Sequence, residues 1–342
     1  MPFYKKFLSV IMLIATAFSA VFSIYCVLPN KTNKPFNFTQ SSYSFINNKQ
    51  SFNNYSSNKS TVSKEKVGSQ KAVTAASKGK VLGKISTEVL SPYTANLSYG
   101  KIYIKNQTGV NVNIKEELKK PITFKINKTK EPEVLIFSTH TTESYMLEDR
   151  NYYTNKDSTG TTDKTKNVVK IGSIIKENLE KNGISVIQYS TIHDSPQFSG
   201  CYDRSANTVK KYLNKYPSIK VVIDVHRDSV NYDDGTKVKP TVMINGKKAA
   251  QVMLVCGCNT GLVEGFLNWR ENLRLSMRLQ QTLEVMYPSL ARSITFTARK
   301  YNLHLTKGSL LLEMGTEANT LKEAEYSALL VSNALVHLLN NL

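Results

Sequence analysis

The chain has little cysteine, few acidic residues against its basic ones, and no internal repeat. Four cysteines occur in 342 residues. Cys26 lies in an apolar segment near the start, leaving Cys201, Cys256 and Cys258, an odd number with no paired CxxC unit. That inventory fits neither a disulfide framework nor a thiolate zinc site; small half-buried side chains account for it. Asp and Glu number 26 against 45 Lys and Arg, a formal net charge of +19. Such a surplus suits anionic partners, a membrane surface or wall polymers. The lysines are nevertheless spread along the chain rather than gathered with aromatics into one stripe, and no recognition module is visible, so nucleic acid is not an expected partner.

Residues 30–84 lack the apolar side chains needed to offset the entropy of ordering, and Asn, Ser, Lys, Thr and Gln dominate them. This stretch reads as a flexible polar linker. Ahead of it, Lys5 and Lys6 precede an uncharged apolar run from Phe7 to Leu28, long enough to cross a bilayer. Residues 1–29 are therefore expected to form a transmembrane anchor with its amino end in the cytoplasm and the bulk of the protein outside. Cleavage at the small-x-small step Ala15-Thr16-Ala17 would leave VFSIYCVL as an apolar new terminus. An uncleaved anchor is the favoured reading.

Residues 85–130 read as a small N-terminal appendage: KIYIKN (101–106) and GVNVNI (109–114) alternate like strands, and a short helix follows over Glu116 to Lys120. Residues 131–342 are more regular. Strands are expected at EVLIF (133–137), ISVIQY (184–189), KVVIDVH (220–226), ITFT (294–297) and SLLLEMG (309–315). Helices are expected near 167–181, 203–216, 266–287 and 321–340, with a hairpin over 237–255 turning at Gly246. Strands alternating with helices predict an α/β domain, a mostly parallel twisted sheet with helices on both faces.

In such a sheet, ligands gather beyond the carboxyl ends of the strands. His140 follows EVLIF, His226 closes KVVIDV, and Glu313 closes SLLL. Taken singly, each histidine is a common structural residue, whereas a carboxylate ending an apolar strand needs a partner. Together with Glu143, three residues after His140, they predict a zinc hydrolase site. His140, Glu143 and His226 would be the ligands, with one position left open for water. Glu313 would then be the catalytic carboxylate that takes the proton. Asp224, two residues before His226, would orient its ring, and Arg227 would hold a substrate carboxylate or an oxyanion, or pair with Asp228. His193 and Asp163 are rivals for the third ligand position. His304 reads as a loop contact and His337 as structural.

At these residues the chain resembles the stage II sporulation protein P family. The resemblance rests on LIFSTHTTESY, VIDVHRDS (222–229), TVMINGKKAAQVMLVCG, MYPSLAR (286–292) and SLLLEMGTEANTLKEA (309–324), and spans about residues 95–342. It implies a zinc-dependent N-acetylmuramoyl-L-alanine amidase, with endopeptidase activity on cross-links, acting on peptidoglycan during engulfment. The mother-cell membrane would anchor it, its catalytic domain facing the intermembrane space beside stage II sporulation proteins D and M. The resemblance supports His140 and His226 as ligands and Glu313 as catalytic carboxylate. Related amidases place a glutamate near the start of the first helix, where this chain has Asp163 to Asn167 and no glutamate; Glu143 remains the choice. Two departures stand out: Ser138 where a histidine or tyrosine is frequent, and Thr316 where a second glycine is frequent, which would alter the floor of the site. Two other readings are a zinc metallocarboxypeptidase, which shares the HxxE layout, and a noncatalytic wall-binding scaffold.

Overall fold

A computed structural model describes residues 79–260 and 263–342. The expected anchor and nearly all of the linker lie outside them. The last linker residues belong to a strand, β1 (Val81–Glu88). Among the described residues no helix is long and apolar enough to cross a membrane.

Along the chain there follow β2 (Leu97–Tyr99), β3 (Ile102–Asn106), α1 (Ile114–Lys119), β4 (Val134–Phe137), β5 (Tyr152–Thr154), α2 (Val168–Lys181), β6 (Val186–Gln188) and α3 (Cys201–Lys215). Then come β7 (Val221–Asp228), β8 (Lys237–Ile244), β9 (Lys247–Ala250), β10 (Val252–Gly257), α4 (Trp269–Met286), β11 (Ile294–Thr297), β12 (Gly308–Thr316) and α5 (Leu321–Asn340).

An eight-stranded sheet runs in the order β2-β3-β11-β10-β12-β7-β4-β6. Only β2–β3 and β10–β12 pair antiparallel; the other neighbours are parallel. The molecule is thus a mixed α/β fold with a mostly parallel main sheet. Side chains alternate across it, as the two-residue strand period requires. Val134, Ile136, Val221, Ile223 and Val225 enter the large core, where Ile171 and Ile175 of α2, Leu273 of α4 and Val331 of α5 meet them. Leu135, Phe137 and Val222 face the other way, onto Val209 of α3. Helices therefore cover both faces, and the run VLIF is buried throughout because neither of its sides meets water.

Each helix is bounded as its ends dictate. The Asn167 side chain accepts from Val169 N–H to start α2, and at the other end Ile184 N–H donates to the Leu179 carbonyl around Gly183, whose φ of 79° suits a residue without a β-carbon. Thr320 and Glu323 form a reciprocal capping box on α5.

Three expectations need correction. GVNVNI is not a strand: the Asn106 side chain turns the chain by accepting from Thr108 N–H and donating to the Val110 carbonyl, and Asn113 then caps α1. The hairpin is β8–β9 alone, turning at Asn245-Gly246 where both φ values are positive (49° and 73°). It belongs to a second sheet, β5-β1-β8-β9, and after Gln251 the chain passes into β10 of the main sheet. Residues 85–130, read as an appendage, contribute to both sheets, and Ile102 and Ile104 are fully buried in the large core.

Candidate metal centre

The carboxyl ends of β4, β7 and β12 lie side by side because β7 is paired in parallel with both neighbours. Glu313 stands directly opposite His226 in that register, so both side chains project from one face. The chain leaving β4 turns back at once. Glu143 N–H donates to the His140 carbonyl at 3.3 Å, and Glu143 then bridges to Gly160 while Ser144 bridges to Asn167. That turn brings His140 and Glu143 onto one point.

One ligand atom from each of His140, Glu143 and His226 lies within 4.8 Å of the others. The Glu143 carboxylate sits between the rings, Oε1 at 3.2 Å from His140 Nδ1 and Oε2 at 3.5 Å from His226 Nδ1. The rings are 4.9 Å apart and nearly perpendicular, at 82°. Two imidazoles and one carboxylate form a donor set that zinc takes in hydrolytic sites. Buried atoms without hydrogen-bonded partners strengthen the fit: Nε2 of His140 and Oε2 of Glu313.

Asp224 buttresses His226. Thr139 holds it, its N–H donating to Oδ1 at 2.8 Å and its hydroxyl to Oδ2 at 2.7 Å. Oδ1 then stands 2.9 Å from His226 Nε2. With Nε2 turned to Asp224, Nδ1 faces Glu143. This is the carboxylate–imidazole support common behind metal ligands.

Charge is redistributed strongly here. Burial pushes Glu143 up, but its contacts with His140 and His226 outweigh that and hold it well below the usual carboxylate range. His140 is raised to about 9: burial opposes the shift, but the adjacent Cys201 thiol and Glu143 prevail. His226 is also raised, with Asp224 and Glu143 overcoming burial. Glu313 moves to about 8, pushed by burial and by the charges of Asp228 and Glu143 against the pull of His226. Without metal, the site thus holds protons where a cation would sit.

The rival ligands are elsewhere. Both ring nitrogens of His193 are engaged, Nδ1 with the Ser138 carbonyl at 3.0 Å and Nε2 with the Thr208 hydroxyl at 3.1 Å. Asp163 pairs with Lys166 at 2.8 Å and accepts from Thr165. Glu143, by contrast, reaches the amino end of α2 through space: its carbonyl accepts from Val168 N–H at 3.0 Å. A carboxylate from the β4 turn therefore stands beside the start of the first long helix.

The Arg227 guanidinium points away from the cluster. Nε donates to the Ser144 carbonyl at 2.8 Å and Nη2 to the Thr159 carbonyl at 2.7 Å, with Glu317 at 3.5 Å from Nη1. Its main-chain N–H instead donates to Glu143 Oε2 at 3.0 Å. The residue braces the turn that carries Glu143. Thr316 is buried, its hydroxyl donating to the Val238 carbonyl at 2.7 Å, so it ties β12 to the second sheet.

Phe198, whose ring lies 4.8 Å from that of His140, and Tyr202, at 5.5 Å, form an aromatic wall that the sequence analysis passed over. Neither occurs in a motif; Phe198 lies just ahead of α3 and Tyr202 in its first turn. The ion pair Arg292–Asp228, 2.8 Å, was also missed, although Asp228 shares the strand face of Asp224 and His226.

A family model described as "Stage II sporulation protein P (SpoIIP)" matches residues 20–336. The chain belongs to the stage II sporulation protein P family. A relative of that name from Bacillus subtilis is 29% identical over 212 residues, 57% of this chain and 48% of the relative. The chain thus aligns with about half the length of that relative. Among solved structures it is similar to N-acetylmuramoyl-L-alanine amidase AmiC2 of Nostoc punctiforme, with 13% identity, a TM-score of 0.36, and coverage of 61% of this chain and 94% of that one. It is also similar to the CwlD amidase from Clostridioides difficile in complex with the GerS lipoprotein, with 12% identity, a TM-score of 0.38, and coverage of 61% and 97%.

Proposed function

We propose that this protein is a peptidoglycan hydrolase, a zinc-dependent N-acetylmuramoyl-L-alanine amidase that also has endopeptidase activity on cross-links. The observation that carries this reading is the convergence of His140, Glu143 and His226 within 4.8 Å, with Glu313 beside His226 in register. Family membership supports it, with sporulation as the setting.

The three residues would hold the ion, and a bound zinc supplies Lewis acidity that polarises an amide carbonyl and acidifies a water molecule. Asp224 keeps the His226 ring turned toward Glu143. Glu313, opposite His226 in register and with Oε2 lacking a hydrogen-bonded partner, is placed to hold and release a proton beside the ion. It takes a proton from the attacking water and returns one to the departing amine as the C–N bond breaks. Arg227 keeps Glu143 in place through its main-chain N–H. Phe198 and Tyr202 keep bulk water from one side of His140.

The proposal extends to location and partners: an anchor within residues 1–29, a catalytic domain outside the cytoplasm, and stage II sporulation proteins D and M as companions. The first test is metal content of the purified protein together with release of products from cell wall. One zinc per chain and intact stem peptides among the products are expected, and His226→Ala loses both. Wall hydrolysis that survives His226→Ala at full rate would refute the mechanism, and release of single amino acids alone would indicate a carboxypeptidase.

A further inference from the structure

Tyr145 follows Glu143 by two residues, and the proposed chemistry gives its hydroxyl no part. The chain from Glu143 to Met146 is extended: Glu143 bridges to Gly160, Ser144 to Asn167 and Met146 to Thr320. Side chains on such a segment alternate. Ser144 donates its hydroxyl to the Ser158 carbonyl, and Met146 packs with Ile85 and Ala318. Glu143 points to the site, between His140 and His226, so Tyr145 shares that side.

Two tethers fix where this segment runs. Arg227 Nε, on β7, holds the Ser144 carbonyl at 2.8 Å, and Met146 N–H donates to the Asn319 carbonyl, just after β12, at 3.0 Å. Tyr145 is thus strung across the carboxyl ends of β7 and β12, the pair that sets His226 opposite Glu313. Its side chain is buried and joins the large core, where a phenylalanine would pack as well. The hydroxyl, by contrast, is a cost to packing: Oη is buried with no hydrogen-bonded partner.

Glu313 Oε2 is in the same position, buried and unpaired. One atom is a donor and the other an acceptor, so joining them by side-chain rotation removes both costs together. Glu143 shares the same side, but its oxygens are taken, Oε1 by His140 and Oε2 by the Arg227 N–H. A phenol keeps its proton at neutral pH. Burial tightens that hold, with Glu143 and Glu313 adding to it and Arg227 opposing it.

We infer that the Tyr145 hydroxyl donates to Glu313 Oε2 in the working site and makes Tyr145 the positioning residue for the catalytic carboxylate. The inference rests on the hydrolase reading and deepens it. With one carboxylate oxygen held by Tyr145, the other is left to exchange the proton. Tyr145 acts through Glu313 and does not touch the scissile bond.

The experiment is a double-mutant cycle on the full chain loaded with zinc, using a soluble muropeptide, beside a structure of the zinc-loaded chain. Tyr145→Phe keeps the ring and removes only the donor. It should lower kcat by about ten- to a hundredfold, the size of one hydrogen bond to a charged group, with KM and zinc content at wild-type levels. In the Glu313→Gln background the same substitution should cost nothing further. The structure should show Oη and Oε2 about 2.7 Å apart. An equal loss in both backgrounds, no loss in either, zinc lost with Tyr145→Phe, or Oη bound to another group would each overturn the assignment. A Tyr145–Glu313 hydrogen bond in a protein that releases no product from wall would uphold the contact and refute the hydrolase reading.

Discussion

Glu313 and His226 stand opposite each other on neighbouring strands, yet substitution separates their roles. Removing the His226 imidazole takes away one of three donors, so bound metal should be lost with the activity. Glu313→Gln keeps the shape and lets the donors stand, but removes the group that carries the proton. Zinc content should stay at the wild-type level while wall hydrolysis falls by about a hundred- to ten-thousand-fold. Metal analysis beside turnover checks this; a Glu313→Gln protein that has lost its zinc would make Glu313 a ligand. Much of this was legible from residues alone, because a histidine or a glutamate closing an apolar strand is conspicuous. Glu143 is preferred for its place three residues after His140, with His193 left as a rival. Both lie in polar loops, and only the Ser138 and Thr208 contacts that occupy both nitrogens of His193 remove it.

Among the elements, α2 bears most directly on the site. Its capping residue Asn167 also donates to the Thr161 carbonyl, and the first helical N–H, from Val168, reaches the Glu143 carbonyl. Asn167→Ala should lower stability by about 1 kcal/mol. It should also weaken zinc binding, because the turn bearing Glu143 leans on that helix end. Denaturant midpoints and a competitive zinc titration measure the two effects; loss of stability with unchanged zinc affinity would separate the cap from the site. The helices were readable from their spacing and caps, as the apolar positions Val168, Ile171, Ile175 and Leu179 make plain. GVNVNI misled because alternation predicts a strand only where a neighbouring strand is available, and here side-chain hydrogen bonds from Asn106 compete for the backbone.

For the whole molecule, the protons trapped at the site tie its stability to pH. Glu313, ordinarily near 4.5, is raised to about 8, and His140, ordinarily near 6.5, to about 9. The native state therefore binds more protons than the unfolded chain across both windows, and stability declines as pH rises through them. Glu143 acts in the opposite sense below 4.5, where protonation of its held carboxylate removes stability as pH falls. Metal-free protein should accordingly melt at falling temperatures from about pH 5 to pH 9, and zinc should reverse the trend, since binding displaces those protons. Calorimetry with and without chelator tests this; a melting temperature that climbs with pH in the metal-free form would show that the site does not store protons.

The sequence by itself determined the alternation of strands and helices, the mostly parallel sheet, and the strand ends that bear His140, His226 and Glu313, because burial period and capping chemistry are local. Tertiary structure decided what depends on register between distant segments. It set Glu313 opposite His226, turned Arg227 outward to brace Ser144 and Thr159, and split the expected hairpin from β10 into a second sheet. It also strung Tyr145 across the ends of β7 and β12, beside the site. No local pattern encodes such contacts, since each depends on which strand lies beside which.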